Sequence, residues 1–111
     1  MQAEELRDEV LRALEDMKAT DVTAIDVRGR TAITDFMVIA SGTSDRHVKA
    51  IANSVQKEMK DRGVKPVGIE GDRDAEWVLL DLNDVVVHIM LPEIRDFYNL
   101  EKLWSVEADT E

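Results

Sequence analysis

The sequence predicts an α/β domain with a mixed sheet of about five strands flanked by helices. Segments with helical periodicity alternate with short runs rich in β-branched residues, in the order α, β, β, α, β, β, β, α. The chain of 111 residues is long enough for one hydrophobic core and too short for two. The chain has only two prolines and five glycines, as is typical of a folded protein rather than a disordered one.

The first half of the chain predicts one helix and two strands. Apolar side chains recur at helical spacing over roughly residues 3 to 19 and define one buried stripe: Leu6, Val10, Leu11, Leu14 and Met17. The β-branched segment VTAIDV is a strand, and RGR ends it with a turn. The run DFMVIASG is apolar without alternation, which indicates a central strand covered on both faces.

The second half begins with a helix after SGTSD, whose hydroxyl and carboxylate side chains can cap a helix. Its apolar face is Val48, Ile51, Ala52, Val55 and Met59. Gly63 suits the end of that helix, and PVGIEG is a short strand. EWVLLDL and DVVVHIML form a hairpin through a two-residue connection. Pro92 suits the first turn of a helix, so PEIRDFYNLEKLW forms one or two short helical turns.

The charge balance limits the classes of partner. With 14 basic and 24 acidic residues, the net charge of −10 disfavours binding to phosphate backbones; it suits a basic protein partner, and solubility alone is the alternative explanation. The absence of cysteine excludes disulfides and thiolate metal sites. The acidic N-terminal segment is unlike a signal peptide, and no apolar run approaches the roughly 20 residues of a membrane span. We therefore expect a cytoplasmic protein with no membrane partner and no sequence-specific contact to nucleic acid.

The segment DLND is the first candidate for catalysis. A turn at Leu82 and Asn83 would place Asp81 opposite Asp84, and such a like-charge pair could chelate a divalent cation. His88 lies four residues beyond Asp84, roughly 13 Å along a strand, which is too far for one metal to bind both. Asn and Asp at a tight turn also bond nearby backbone amides. We favour this turn interpretation over a metal-dependent nucleotide-handling enzyme, which is the alternative.

The segment SGTSDRH is the second candidate, because it lies between a strand and a helix N-terminus. Free backbone amides and the helix dipole can hold an anion at such a position. The segment lacks the lysine and the glycine spacing of a phosphate-binding loop, so helix capping is the favoured interpretation. The sequence accordingly predicts no catalytic residue, no metal site and no cofactor.

Four segments together resemble the Iojap family, the bacterial ribosomal silencing factors: TDFMVIASGTSDRHVKAIA, GIEG, AEWVLLDLNDVVVHIM and FYNLEKLW. The resemblance covers about residues 5 to 105. It implies a nucleotidyltransferase-like fold without catalytic carboxylates, since Gly42, Thr43 and Ser44 lead into a helix but no pair of acids one residue apart follows on the next strands. We expect a single domain over residues 1–105 and a disordered tail over 106–111, where acidic and small residues replace the apolar pattern.

The resemblance also implies a function. Members of the family bind the large ribosomal subunit through its protein fourteen, on the face that meets the small subunit, and block subunit joining when nutrients are short. The family's binding surface maps here to the hairpin and the segment after it: Trp77, Leu79, Asp81, Phe97, Tyr98 and Leu100. Aromatic side chains concentrate binding energy at interfaces, and Asp81 can pair with a basic partner. Two alternatives stay open: Trp77 as a core residue, and a homodimer formed by the same apolar surface.

Overall fold

The computed structural model describes residues 1–104, which form a mixed sheet with helices on both faces. The helices are α1 (Ala3–Asp16), α2 (Asp45–Asp61), α3 (Pro92–Tyr98) and α4 (Leu100–Trp104). The strands are β1 (Thr20–Asp26), β2 (Phe36–Ser41), β3 (Gly68–Glu70), β4 (Trp77–Asp81) and β5 (Val85–Met90). The predicted α/β class and number of strands are confirmed. The tail predicted over residues 106–111 lies outside the described residues.

The sheet has the strand order β1-β2-β5-β4-β3. Its central pair, β2 with β5, is parallel, and the three other neighbouring pairs are antiparallel. A parallel pair needs a long crossover, which the chain through α2, β3 and β4 supplies. Both central strands are buried along their whole length, which explains why FMVIAS and VVVHIM show no polar alternation.

One face of the sheet, called here the core face, packs against α1 and α2. Every second residue of the inner strands points to it: Phe36, Val38, Ala40, Val78, Leu80, Val85, Val87 and Ile89. The apolar stripes of both helices cover these side chains, so that Leu14 and Ile51 are fully buried. The stripes predicted from the sequence are confirmed, with Leu11 and Met17 only partly buried at the edge.

The opposite face, called here the open face, is covered incompletely by α3 and α4. Five side chains form its buried cluster: Ile25, Val27, Met37, Ile39 and Met90. Ile94, Leu100 and Trp104 of the short helices pack against this cluster and are themselves only partly buried. Within residues 1–104, no helix has the length and apolar composition needed to cross a membrane.

The boundaries of the first helix and the first strand differ from the sequence prediction. Helix α1 ends at Asp16 rather than at residue 19, because Lys18 has a left-handed backbone (φ 60°) that turns the chain toward β1. Strand β1 begins at Thr20 rather than at residue 22, with an irregular register near the left-handed Asp21 (φ 51°). A third left-handed residue, Asn99 (φ 50°), divides the C-terminal segment into α3 and α4. Asn and Asp adopt this conformation more readily than most residues.

Candidate binding surface

The β4–β5 hairpin turns at Asn83 and Asp84, and the prediction of a turn at Leu82 and Asn83 was wrong. The register pairs Asp81 with Val86, so Asp81 does not oppose Asp84. Instead, the Asp81 carboxylate accepts a hydrogen bond from the backbone N–H of Asn83 at 2.8 Å, and Asn83 has a left-handed backbone (φ 76°). This bond is the turn chemistry expected of an aspartate at such a position. The turn interpretation of DLND is therefore confirmed.

The two candidate catalytic segments, DLND and SGTSDRH, lie at opposite ends of the sheet. Parallel pairing places Phe36 beside Val85 and Ser41 beside Met90. The turn that carries Asp84 precedes Val85, whereas the glycine-containing loop follows Ser41, so roughly 20 Å of strand separates them. Within residues 1–104, no three His, Asp or Glu side chains are grouped so that they could hold a metal ion.

The loop between β2 and α2 caps the helix. Ser44 Oγ accepts a hydrogen bond from the backbone N–H of His47 at 3.1 Å, and His47 Nδ1 accepts one from the backbone N–H of Thr43 at 2.9 Å. The other ring nitrogen of His47, Nε2, donates to the carbonyl oxygen of Met17 at 2.9 Å, which ties the end of α1 to the start of α2. The capping interpretation of SGTSDRH is confirmed.

Three aromatic side chains form a continuous group on the open face. Trp77, at the start of β4, is half-buried, and its ring centroid lies 4.8 Å from that of Tyr98. Tyr98 meets Phe97 edge to face at a centroid distance of 5.0 Å. Such distances are those at which aromatic rings attract each other. Because Tyr98 is 53% and Phe97 80% exposed, the group reaches the surface, and it is called here the aromatic patch.

Leu79 and Asp81 extend the aromatic patch along β4. They share a face with Trp77 because alternate residues of a strand point the same way, and both are half-buried. Leu79 lines two hollows of about 230 Å³ each, one with Trp77 and the other with Trp104. Five of the six residues predicted for the binding surface therefore lie on the open face near its surface. The sixth, Leu100, packs against the buried cluster of that face.

Arg95 holds α3 and α4 against the sheet. Its side chain is only 7% exposed, and Nε and Nη2 donate to the same oxygen of Glu101 at 2.9 and 2.6 Å. Nη1 donates to Ser41 Oγ at 2.9 Å, which links α3 to β2. Charge-assisted hydrogen bonds of this kind are stronger than neutral ones. Because Phe97 and Tyr98 lie between Arg95 and Glu101 in the chain, this network also fixes part of the aromatic patch.

His88 lies on β5 next to Trp77 and is 6% exposed. Its Nδ1 accepts a hydrogen bond from Trp77 Nε1 at 2.9 Å. Burial lowers the pKa of His88 to about 4, because the charged imidazolium would lose its hydration. At neutral pH the ring is therefore neutral, with its proton on Nε2 and its acceptor directed at the indole. No pattern in the sequence indicates a role for His88 or Arg95 at this surface.

Comparison with known proteins relates this chain to one family. The family described as "Ribosomal silencing factor during starvation" matches residues 1–111. Ribosomal silencing factor RsfS of Chromobacterium violaceum is 47% identical over 105 residues, which cover 95% of this chain and 86% of the relative. The protein of the same name from Haemophilus influenzae is 43% identical over 96 residues, covering 86% of this chain and 94% of the relative. A crystal structure of a Chromobacterium violaceum protein superposes with a TM-score of 0.93 at 47% identity, covering 95% of this chain and 88% of that chain.

These matches place the chain in a class of regulatory proteins associated with the ribosome. The chain belongs to the family of ribosomal silencing factors, so the family resemblance inferred from the sequence is confirmed.

Proposed function

We propose that this protein binds the large ribosomal subunit through the subunit's protein fourteen and thereby blocks joining of the small subunit. It acts in the cytoplasm, without catalysis, as a repressor of translation when nutrients are limiting. Family membership supports the ribosome as the partner. The aromatic patch is the observation that supports this contact surface: Trp77 is hydrogen-bonded to the buried His88, while Phe97 and Tyr98 are exposed.

The chemistry of the aromatic patch fits a protein partner. Phe97 and Tyr98 leave apolar area in water, and covering such area with a partner favours complex formation. Two carboxylates border the patch: Glu70 beside Trp77 in one hollow and Asp81 on β4. An acidic border around an aromatic centre favours a basic protein, because opposite charges speed the encounter while the rings supply the affinity.

The size of the domain supports inhibition by steric exclusion. Its principal extents are 40 × 33 × 21 Å. A body with a shortest dimension of 21 Å, bound to the surface where the two subunits meet, separates them by far more than a hydrogen bond or an ion pair can span. No chemical step is needed for this effect, so the proposal requires only an adequate affinity and the right location.

The test is co-sedimentation of the pure protein and a Phe97→Ala variant with separated ribosomal subunits. Phe97 is mostly exposed, so its truncation should leave the melting temperature unchanged while weakening binding to the large subunit at least about tenfold. Lys57→Ala, on the exposed side of α2 behind the core face, is the control of matched exposure and should bind like the parent. Binding by the parent to the small subunit alone would overturn the proposal. Unchanged binding by Phe97→Ala would remove the aromatic patch as the contact surface.

A homodimer is the second candidate association, and it competes for the same face. Two further apolar side chains on loop and helix near the open face, Ile33 and Leu103, are 79% and 67% exposed. Pairing of two copies through these residues would cover them as a partner does. Sedimentation velocity over a range of protein concentrations would detect it, and Ile33→Ser should then shift the protein toward monomer.

A further inference from the structure

We propose that His88 is a positioning residue of the ribosome-binding surface, because its ring holds the Trp77 side chain in the orientation that completes the aromatic patch. The inference rests on the proposed function, since Trp77 belongs to the surface assigned there. His88 itself is buried, with 6% of its surface exposed, so its effect on binding goes through Trp77.

The contact between the two side chains is a hydrogen bond rather than ring stacking. Trp77 Nε1 donates to His88 Nδ1 at 2.9 Å, whereas the ring centroids are 5.9 Å apart and the planes are inclined by 47°. The indole N–H is a donor only, and Nδ1 of a neutral imidazole is an acceptor, so the pair is complementary. Burial keeps His88 neutral because it lowers the pKa to about 4.

The bond fixes the indole because the imidazole is the less mobile partner. His88 is in a strand paired on both sides, with Ile39 of β2 and Leu79 of β4 as its neighbours. Trp77 is the first residue of β4 and is only half-buried. A tryptophan at such a position has several staggered rotamers available. The hydrogen bond selects one of them, and in that rotamer the indole contacts Tyr98.

His88 is a polar residue between two apolar neighbours on the same face of β5. Val86 and Met90 are apolar and buried, and a histidine between them places a polar ring in an apolar row. Burying such a group is unfavourable unless it is hydrogen-bonded. No buried side-chain nitrogen or oxygen atom within residues 1–104 lacks a hydrogen-bond partner. For Nδ1 of His88 the partner is the indole of Trp77, which is the contact that carries the inference.

A matched pair of variants, His88→Asn and His88→Leu, separates hydrogen bonding from packing. The two new side chains have nearly the same shape, but the asparagine oxygen, bonded to Cγ as Nδ1 is, can accept from the indole, and the leucine methyl cannot. The indole N–H resonance of Trp77, assigned with a Trp77→Phe sample, reports the bond through its chemical shift and its exchange with solvent. Affinity for the large subunit and the melting temperature are measured on the same samples.

The expected result is a difference between the two variants. His88→Leu should show faster exchange of the Trp77 indole N–H and about tenfold weaker binding, because the indole samples other rotamers, while His88→Asn retains most of the affinity. Equal affinities for the two variants would overturn the positioning role. Equal losses of melting temperature with no difference in indole exchange would do the same, because they indicate a packing role.

The same measurements separate an error in the role of His88 from an error in the choice of binding surface. If Phe97→Ala weakens binding but the two His88 variants bind alike, the positioning role alone is overturned. If Phe97→Ala and Trp77→Ala both bind like the parent, the aromatic patch is not the binding surface, and the positioning role is overturned together with it.

Discussion

The two faces of the sheet are covered by different means. On the core face, helices of 14 and 17 residues lay continuous apolar stripes over the strands, and the side chains between them are fully buried. On the open face, helices of 7 and 5 residues cover a cluster of five buried side chains and are held by the polar network of Arg95. The core face can supply most of the stability. The open face therefore retains apolar side chains at the surface that a partner can cover.

The largest effect is expected from a cavity on the core face. Ile51→Ala removes a fully buried side chain of α2, which should lower the free energy of unfolding by about 2 to 5 kcal/mol in urea titrations. The folded fraction should still bind the large subunit with the parent's affinity, because Ile51 lies on the far side of the sheet from the aromatic patch. A loss of affinity in the folded fraction would contradict the division of roles between the two faces.

Acidification should weaken the open face through His88. The pKa of His88 is about 4 in the folded protein and 6.5 ordinarily. As pH falls below 6.5, His88 takes up a proton in the unfolded chain but not in the folded one. The free energy of unfolding is therefore highest above pH 6.5 and falls progressively toward pH 4. The loss can reach about 3 kcal/mol.

The pH dependence is checked against His88→Asn, which has no titrating group at that position. In urea titrations between pH 7.5 and 4.5, the parent should lose more free energy of unfolding than His88→Asn as the pH falls. Parallel pH profiles for the two proteins would contradict the assignment of the low pKa to His88.

Loss of the Arg95 network should have an intermediate and local effect. Arg95→Met keeps an apolar stem but removes the hydrogen bonds to Glu101 and Ser41, at a cost of about 2 kcal/mol. Hydrogen exchange should accelerate in α3 and α4 and stay slow on the core face. Uniform acceleration across the sheet would show that the two faces do not open independently.

The smallest effect is expected on the outer surface of α2. Lys57 forms an exposed ion pair with Asp61 at 3.2 Å, and such pairs contribute at most about 0.5 kcal/mol. Lys57→Ala should therefore change neither the melting temperature nor the affinity measurably. A clear loss of affinity would show that a second surface, behind the core face, takes part in binding.

The order of the elements was predictable from the sequence because burial leaves a pattern. Strands β2 and β5 lack polar alternation since both of their faces are covered, and α2 shows its apolar stripe clearly. The exact turn of the hairpin was not predictable, because it depends on a tertiary contact. The carbonyl oxygen of Asp84 accepts hydrogen bonds from the backbone N–H groups of Asp35 and Phe36, about 50 residues earlier in the chain.

The candidate surface was predictable only in part. Alternation along β4 places Trp77, Leu79 and Asp81 on one face, and this follows from the sequence alone. The contribution of α3 came from the family resemblance, because nothing in a seven-residue helix indicates how it packs. Arg95 reads as a surface residue, and its bond to Ser41 spans 54 positions of the chain, so its burial follows only from the fold.

The parallel pairing of β2 with β5 also determines the order in which the strand pairs form during folding. Phe36 pairs with Val85, so the centre of the sheet closes only after the intervening chain has been drawn together, and the entropy of that closure grows with its length. The antiparallel pairs β1–β2 and β4–β5 close much shorter loops and should form first. We therefore expect docking of these two halves to limit the folding rate. During synthesis, neither half can complete the sheet before β5 has left the ribosome, so the aromatic patch forms only after β5 and α3 have emerged.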